Sequence, residues 1–172
     1  MSGIRICLIG AGRAGEVHGD VYNDYVKNSE ITAIVDSDAK KAKKLAKKYN
    51  IKENLAFRTL KDAIGSIKFD AVVITTPTFT HTDYTIEAAE NKIHVFCEKP
   101  MAISASDCDR MIKACRNAGV ILQIGFMRRF DPGFILAKKI IDEGTISKPV
   151  IIKSLTHGPG LPGKWALDIK NS

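Results

Sequence analysis

Two short groups of residues in this sequence have the types and spacing to do chemistry. The first is the glycine-rich segment Gly10-Ala11-Gly12-Arg13-Ala14-Gly15. In such a turn the first glycine allows a tight bend, the second lets the backbone approach a pyrophosphate, and the third lets a helix pack close to a strand. The second group is Glu98-Lys99-Pro100, which joins an acid, a base and a stiff turn residue. Together they predict a dinucleotide cradle and a lysine that can move a proton.

Lys99 has a chemical reason to serve in a dehydrogenation. Oxidation of a secondary alcohol requires that the hydroxyl lose a proton as hydride passes to a nicotinamide. A lysine that lies beside the cationic nicotinamide and is partly removed from water becomes a usable proton acceptor. Glu98 would orient Lys99 or the cofactor ribose, and Pro100 would stiffen the turn, for which a cis peptide is one means. The plainer alternative for Lys99 is a surface lysine that follows a strand.

The surroundings of the glycine segment strengthen its interpretation. An apolar run over residues 4–9 predicts a buried strand before it, and a helix is expected to begin near Arg13 with its N–H groups facing the phosphates. A second predicted strand, 31–35, ends in Asp36. A carboxylate there, about 20 residues on, would bind the adenosine ribose hydroxyls and repel a 2′-phosphate, which favours NAD over NADP. Lys40 and Lys41 would soften that repulsion, and the alternative role for Asp36 is a helix cap.

The elements that must position these residues alternate along the chain. Apolar runs predict further strands at 69–75, 93–96 and 120–124, and helical spacing predicts helices at about 39–49, 80–91, 104–118 and 132–143. Thr80 with Asp83, and Ser104 with Asp107, have the spacing of capping boxes. Alternating strands and helices predict an α/β fold with a doubly wound parallel sheet, the NAD(P)-binding Rossmann fold.

Ligands of such sheets bind beyond the carboxyl ends of the strands, so residues that directly follow strands are site candidates. The predicted cofactor-binding residues are Gly10, Gly12, Arg13, Ala14, Gly15, Asp36, Thr75, Thr76, Pro77, His81, Glu98, Lys99 and Arg128. Arg13 is equally well explained as a solvent-facing side chain. His81 is at least as well explained as a residue that holds its loop. Arg128 is the favoured cofactor or substrate contact, and Arg129 is expected to pair with Asp131 or another nearby acid.

Composition limits the other classes. The 172 residues are 45% hydrophobic, and no apolar run approaches the ~18 residues of a membrane span. Four cysteines without a CxxC pair predict reduced thiols in a cytoplasmic protein, and no metal site is predicted. The net charge of +7 comes largely from lysines on one amphipathic helix, 39–49. A solvated face explains that helix better than a nucleic-acid surface, because no recognition motif accompanies it.

The order of these motifs resembles the Gfo/Idh/MocA oxidoreductase family. The resemblance rests on the glycine segment, on Thr76-Pro77 followed by His81, on Glu98-Lys99-Pro100, and on the segment 125–132, which is similar to that of inositol 2-dehydrogenase members. It implies an N-terminal NAD(P)-binding domain, a C-terminal α+β domain that binds a polyol or sugar and builds oligomers, and a catalytic role for Lys99. The family's catalytic Asp and His, from the second domain, are expected to be absent here, and Asp168 is not given their role.

The predicted domains are therefore 1–130, the Rossmann domain, and 131–172, a linker helix with the start of a truncated second domain. Within the latter, 150–155 is predicted as a strand and His157 as an exposed loop residue. Three functions remain open: an NAD-dependent polyol or sugar dehydrogenase, a non-catalytic dinucleotide-binding or regulatory module, and one half of a split dehydrogenase. The expected partners are a small polyhydroxylated substrate and either further copies of this chain or a complementing chain.

Overall fold

One parallel sheet organises the protein, whose computed structural model describes residues 3–155. The strands are β1 (Ile4–Ile9), β2 (Ser29–Val35), β3 (Ala56–Phe57), β4 (Ala71–Ile74), β5 (His94–Cys97) and β6 (Leu122–Ile124). All pairs are parallel, and the spatial order is β3-β2-β1-β4-β5-β6. The order reverses direction at β1, because the chain first builds outward to β3 and then returns to β4 beside β1. This is the doubly wound topology expected from the sequence.

Helices connect the strands. They are α1 (Arg13–Asp24), α2 (Ala39–Lys48), α3 (Leu60–Ser66), α4 (His81–Glu90), α5 (Ala105–Ala118) and α6 (Pro132–Asp142), with short 3₁₀ turns at Glu53–Leu55, Thr78–Thr80 and Met127–Phe130. The α5 helix shows why the sequence forms these elements. Ser104 accepts the N–H of Asp107 at its start, and Gly119, at φ 70°, ends it. The N-cap predicted at Ser104 is confirmed, and the Asp107 carboxylate accepts the Ser104 hydroxyl rather than the Ser104 backbone N–H of a full capping box.

Two apolar cores lie on opposite faces of the sheet, because neighbouring strand residues point to opposite sides. Ile6 and Leu8 of β1 pack with Ala42 and Leu45 of α2 in one core. Cys7 and Ile9 of the same strand belong to the other core, with residues of α3, α4 and α5. The central strands are buried on both faces, which explains their nearly continuous apolar sequences.

Some local predictions fail. Thr80 does not cap α4, because its hydroxyl donates to the side chain of Thr76 or the carbonyl of Pro77 instead of accepting a helix N–H. β3 and α3 were not predicted. Residues 150–155 form no strand, since a strand requires a neighbour to complete its hydrogen bonds and none of the described residues supplies one. The predictions for His157 and Asp168 lie outside the described residues.

The chain divides into two compact units, with the boundary between Gly125 and Phe126. The first unit contains the sheet, and the second contains the 3₁₀ turn at Met127–Phe130 and α6. In the second unit Asp131 caps α6 by accepting the N–H groups of Gly133 and Phe134. Ser147 has a left-handed φ of 57°. The predicted domain boundary at residue 130 stays a prediction.

Candidate functional site

The predicted site residues of the first unit follow the carboxyl ends of four adjacent strands. The glycine segment follows β1, Asp36 follows β2, Thr75 follows β4 and Glu98 follows β5. Because β2, β1, β4 and β5 are neighbours in that order, these loops meet at one edge of the sheet. The reversal of strand order between β1 and β4 opens the crevice in which doubly wound folds bind ligands.

The glycines of the first loop have different structural tasks. Gly10 has φ 101°, a conformation that L side chains rarely adopt, and is buried. A Cβ atom on Gly15 would collide with the carbonyl oxygen of Gly10, so Gly15 allows α1 to approach the turn. A Cβ atom on Gly12 would meet nothing within 4 Å, and the backbone at Gly12 has an ordinary φ of −87°. Folding therefore requires Gly10 and Gly15, whereas the open space at Gly12 faces outward from the protein.

The first turn of α1 offers hydrogen-bond donors to a ligand. Gly12 is the N-cap residue, and no side chain caps the helix. The first N–H groups of a helix have no partner within it, and with the helix dipole they favour an anion. Gly12, Arg13 and Ala14 are exposed at this end. This uncapped turn and the open space at Gly12 fit a pyrophosphate.

Asp36 braces the glycine loop from the end of β2. Its Oδ2 accepts the N–H of Ala11 at 2.7 Å, and its Oδ1 accepts the N–H of Asp38 at 2.8 Å. The alternative role of helix cap belongs to Asp38, whose Oδ1 accepts the N–H of Lys40 at 2.9 Å. Tyr84 of α4 was missed by the sequence analysis. Burial raises the pKa of Tyr84, and the charges of Glu87 and Asp36 raise it further.

Thr75 supports the glycine turn from below. Its hydroxyl lies 2.9 Å from the carbonyl oxygen of Ile9 and 3.0 Å from that of Gly10, and it donates its one proton to either. Thr76 accepts a hydrogen bond from the Thr80 hydroxyl at 2.7 Å, and Pro77 is exposed. The hydroxyl of Thr75 thus holds the shape of the turn, and its predicted contact with a cofactor stays a prediction.

His81 holds two loops together. The side chain is 1% exposed, its Nδ1 lies 3.0 Å from the carbonyl oxygen of Pro100, and its Nε2 lies 2.9 Å from that of Thr76. A neutral imidazole carries one N–H and donates to one of these oxygens, whereas an imidazolium donates to both. Both nitrogens are committed to the backbone, so the structure corrects the expectation of a direct cofactor contact. The alternative, a residue that holds its loop, describes His81.

The Glu98-Lys99-Pro100 turn places Lys99 at the surface of the site. Lys99 is exposed, and within residues 3–155 its ammonium group makes no ion pair. The Lys99–Pro100 peptide bond is cis, the means of stiffening the turn that the sequence allowed. Glu98 is half-buried, and its Oε2 accepts the backbone N–H of Lys99 at 2.9 Å. Glu98 therefore orients the turn that carries the lysine.

His18 also belongs to this site and was missed by the sequence analysis. It lies on α1, one turn after Gly15, and its Nε2 is 2.8 Å from Oε1 of Glu98. The imidazole packs edge-on against Phe96, with 5.3 Å between the ring centroids. The sequence could have indicated His18, because it lies three residues after the last glycine, on the face of α1 that meets the sheet.

Arg128 belongs to the second unit. Its Nη1 donates to Oδ2 of Asp131 at 3.3 Å, and its guanidinium lies 5.3 Å from the ring centroid of Phe134. Arg129 was expected to pair with Asp131 or another nearby acid, whereas Arg128 is the arginine that contacts Asp131. A cofactor contact by Arg128 stays a prediction.

The cysteines are unpaired, and three of them are buried, namely Cys7, Cys97 and Cys115. Burial raises the pKa of the Cys97 thiol to about 12 and that of Cys7 further, so neither is a nucleophile at neutral pH. Among residues 3–155 no group of three or more histidine, cysteine or acidic side chains is arranged to hold a metal ion. None of the helices in that range combines the length and apolarity needed to cross a membrane.

The fold and the loops at its carboxyl edge define a dinucleotide-binding domain of the dehydrogenase type. The profile of the GFO_IDH_MocA family, described as "Oxidoreductase family, NAD-binding Rossmann fold", matches residues 4–126. The chain belongs to this oxidoreductase family. The predicted NAD-binding Rossmann fold is confirmed.

Named relatives agree with this assignment. The chain is 35% identical over 161 residues to scyllo-inositol 2-dehydrogenase (NAD(+)) of Bacillus subtilis, covering 92% of this chain and 46% of that protein. The WlbA dehydrogenase of Bordetella pertussis, solved with NADH and UDP-GlcNAcA, superposes with a TM-score of 0.80 at 31% identity, covering 85% of this chain and 41% of that one. Myo-inositol 2-dehydrogenase of Lactobacillus plantarum superposes with a TM-score of 0.77 at 32% identity, covering 85% and 43%. The chain spans less than half of the length of these relatives.

Proposed function

We propose that this chain is the NAD-binding portion of a dehydrogenase that transfers hydride between the nicotinamide and a secondary alcohol of a polyol or sugar. Lys99 carries the proposal. It is an exposed lysine, without an ion-pair partner among residues 3–155, on a turn two strands away from the glycine loop. A dinucleotide held at β1 with its nicotinamide end toward β5 would bring its reacting ring to this side chain.

The residues of the crevice would divide the work of binding. The first turn of α1 would hold the pyrophosphate, with Gly12 leaving room for it. Asp36 would accept the adenosine ribose hydroxyls while it continues to hold Ala11, and its charge would disfavour the 2′-phosphate of NADP. These roles support NAD as the cofactor and NADP as the weaker ligand.

Lys99 would transfer the proton in this reaction. NAD, when bound, supplies the hydride acceptor. In the oxidation Lys99 Nζ would take the hydroxyl proton, and in the reduction it would return the proton to the carbonyl oxygen. The half-buried Glu98 would keep the turn oriented through the Lys99 N–H.

The substrate class is supported by what the relatives are named for. Two are inositol dehydrogenases, and one was solved with a nucleotide sugar derivative. These molecules share several neighbouring secondary hydroxyl groups. We therefore propose a small polyhydroxylated substrate. As a separate part of the proposal, the chain would assemble with further copies of itself or with a complementing chain. The four free cysteines support a reducing compartment such as the cytoplasm.

The test is a paired titration and turnover assay on the purified chain. We expect NADH to bind more tightly than NADPH. Lys99→Met should leave NADH affinity within about twofold, since the cradle is untouched, and should remove polyol-dependent NADH formation wherever the wild-type chain shows it. Lys99→Arg, which retains the charge and cannot accept a proton, should behave like Lys99→Met.

Three results would decide against parts of this proposal. Absence of NADH binding would reject the cradle. Full turnover by Lys99→Met would reject the proton role of Lys99. NADH binding by the wild-type chain with no turnover on any polyol would favour the alternative of a non-catalytic dinucleotide-binding module.

A further inference from the structure

The carboxylate of Glu98 is held at both oxygens by protein groups. Oε1 lies 2.8 Å from Nε2 of His18, and Oε2 accepts the backbone N–H of Lys99 at 2.9 Å. A chain of two hydrogen bonds therefore runs from a side chain of α1 to the peptide group of Lys99. It joins the helix that begins at the glycine loop to the turn that carries the proposed proton-transferring residue.

The chemistry of His18, Glu98 and Lys99 determines which group donates in each of these two hydrogen bonds. An ionised carboxylate only accepts, so Nε2 of His18 must carry a proton and donate it to Oε1. Bonds to an ionised acceptor are stronger than neutral ones and hold the acceptor in one orientation. The edge-on contact between the imidazole and Phe96 limits the rotation of His18. The imidazole thus holds the carboxylate in place, and the carboxylate holds the Lys99 amide.

Surrounding contacts leave the carboxylate few other ways to be held. The Glu98 side chain is 23% exposed and the His18 side chain 21%, so both are mostly shielded from water. Gly125 passes so close that a Cβ atom there would lie 3.1 Å from Oε1. Without His18, Oε1 loses its donor, and rotation of the carboxylate would then remove the acceptor from the Lys99 N–H.

We propose that His18 is a positioning residue for Lys99, acting through Glu98. This inference rests on the proposed function, because positioning matters only if Lys99 faces the nicotinamide. Its consequence is that ligand contacts on the nicotinamide side depend on a residue of α1 that does not touch them. The pyrophosphate contacts at the start of α1 do not depend on it.

The first experiment reads the Lys99 amide by NMR in the unliganded chain. His18→Leu removes the donor and keeps an apolar side chain against Phe96. We expect the Lys99 amide proton to move upfield and its hydrogen exchange to accelerate by about three- to tenfold, the effect of one lost hydrogen bond. His18→Gln, whose side-chain nitrogen reaches about as far as Nε2, should restore both readings.

His94→Leu is the matched control. His94 lies at the other end of β5, where its Nδ1 accepts the N–H of Ile121, so its loss should leave the Lys99 amide unchanged. An unchanged Lys99 amide in folded His18→Leu would overturn the proposal. The wild-type chain gives a reading that needs no variant: the nitrogen spectrum of His18 must show a protonated Nε2, and an unprotonated Nε2 would overturn the proposal as well.

The second experiment compares NADH with ADP-ribose, which lacks the nicotinamide. We expect His18→Leu to weaken NADH binding by about three- to tenfold while ADP-ribose binds as to the wild type. Equal NADH affinity in wild type and His18→Leu would contradict the positioning role. If the proposed function were wrong, the wild-type chain would bind neither NADH nor ADP-ribose. The NMR readings of Lys99 would still report on His18, so the two failures can be distinguished.

Discussion

Replacement of Gly12 by valine separates the folding role of the glycine loop from its role in ligand binding. A Cβ atom at Gly12 has no neighbour within 4 Å, and the backbone there, at φ −87° and ψ −168°, is an extended conformation that any residue adopts. The introduced valine side chain is therefore expected to fit the unliganded protein. It would project into the space in which a pyrophosphate approaches the start of α1.

The magnitude follows from the hydrogen bonds that such a side chain would prevent. A hydrogen bond from a backbone N–H to a charged acceptor contributes about 1.5–3 kcal/mol. Loss of two of these bonds at the uncapped first turn of α1 gives about 3 kcal/mol or more, which weakens NADH binding at least about 100-fold. The free energy of unfolding should fall by only about 1 kcal/mol, because valine is a poorer N-cap residue than glycine and no steric clash adds to that cost.

The assay is NADH fluorescence titration together with thermal unfolding of the same samples. Gly65→Ala is the matched control, since Gly65 of α3 also has no neighbour within 4 Å of an added Cβ but lies away from the crevice. It should unfold at or above the wild-type temperature and bind NADH normally. A stable Gly12→Val protein with unchanged NADH affinity would refute the assignment of the cradle. A large loss of stability would refute the interpretation of open space at Gly12.

Two further predictions concern the carboxylates. Asp36→Asn removes a charge and keeps an acceptor for Ala11. The ratio of NADPH to NADH dissociation constants should therefore fall at least about fivefold, since a charge pair at 4 Å in water contributes ~1 kcal/mol. An unchanged ratio in parallel titrations would remove Asp36 from the ribose site. The Arg5 side chain and backbone lower the pKa of Asp70 to about 2, so this pair stabilises the fold above pH 4 and loses its effect as pH falls toward 2. Asp70→Asn should therefore unfold about 2 °C lower than wild type at pH 7, with a difference that shrinks in melts at decreasing pH, and a constant difference would argue against the pair.

Local sequence was enough to predict the frame of the fold. The apolar run that ends at Gly10 and the glycine spacing after it specify a buried strand, a tight turn and a helix start at Arg13, and each is present. The cap at Ser104 and the left-handed Gly119 followed from the same local rules. The strand Ala56–Phe57 was missed because two residues are too few to show a period. The helix after it, Leu60–Ser66, was missed as well.

Roles that depend on distant neighbours were less predictable. The sequence placed His81 beside the cofactor, but the tertiary structure buries it between the carbonyl oxygens of Thr76 and Pro100, two loops brought together only when β4 and β5 pair. It paired Arg129 with Asp131 or another nearby acid, whereas Arg128 contacts Asp131, because the sequence does not record the direction of two neighbouring side chains. It predicted a strand at 150–155, which apolar composition favours but which no described neighbour pairs with.

The sequence by itself determined the alternating fold, the strand-end location of the site and the identity of the residues that could do chemistry there. These features follow from hydrophobic periodicity, from glycine geometry and from side-chain chemistry, all of which are local properties. The tertiary structure alone decided how Glu98 is used, because its partners His18 and Lys99 are brought together by packing of α1 on the sheet across 80 residues of sequence. Such pairings depend on the summed packing of every element between them, and no short pattern records them.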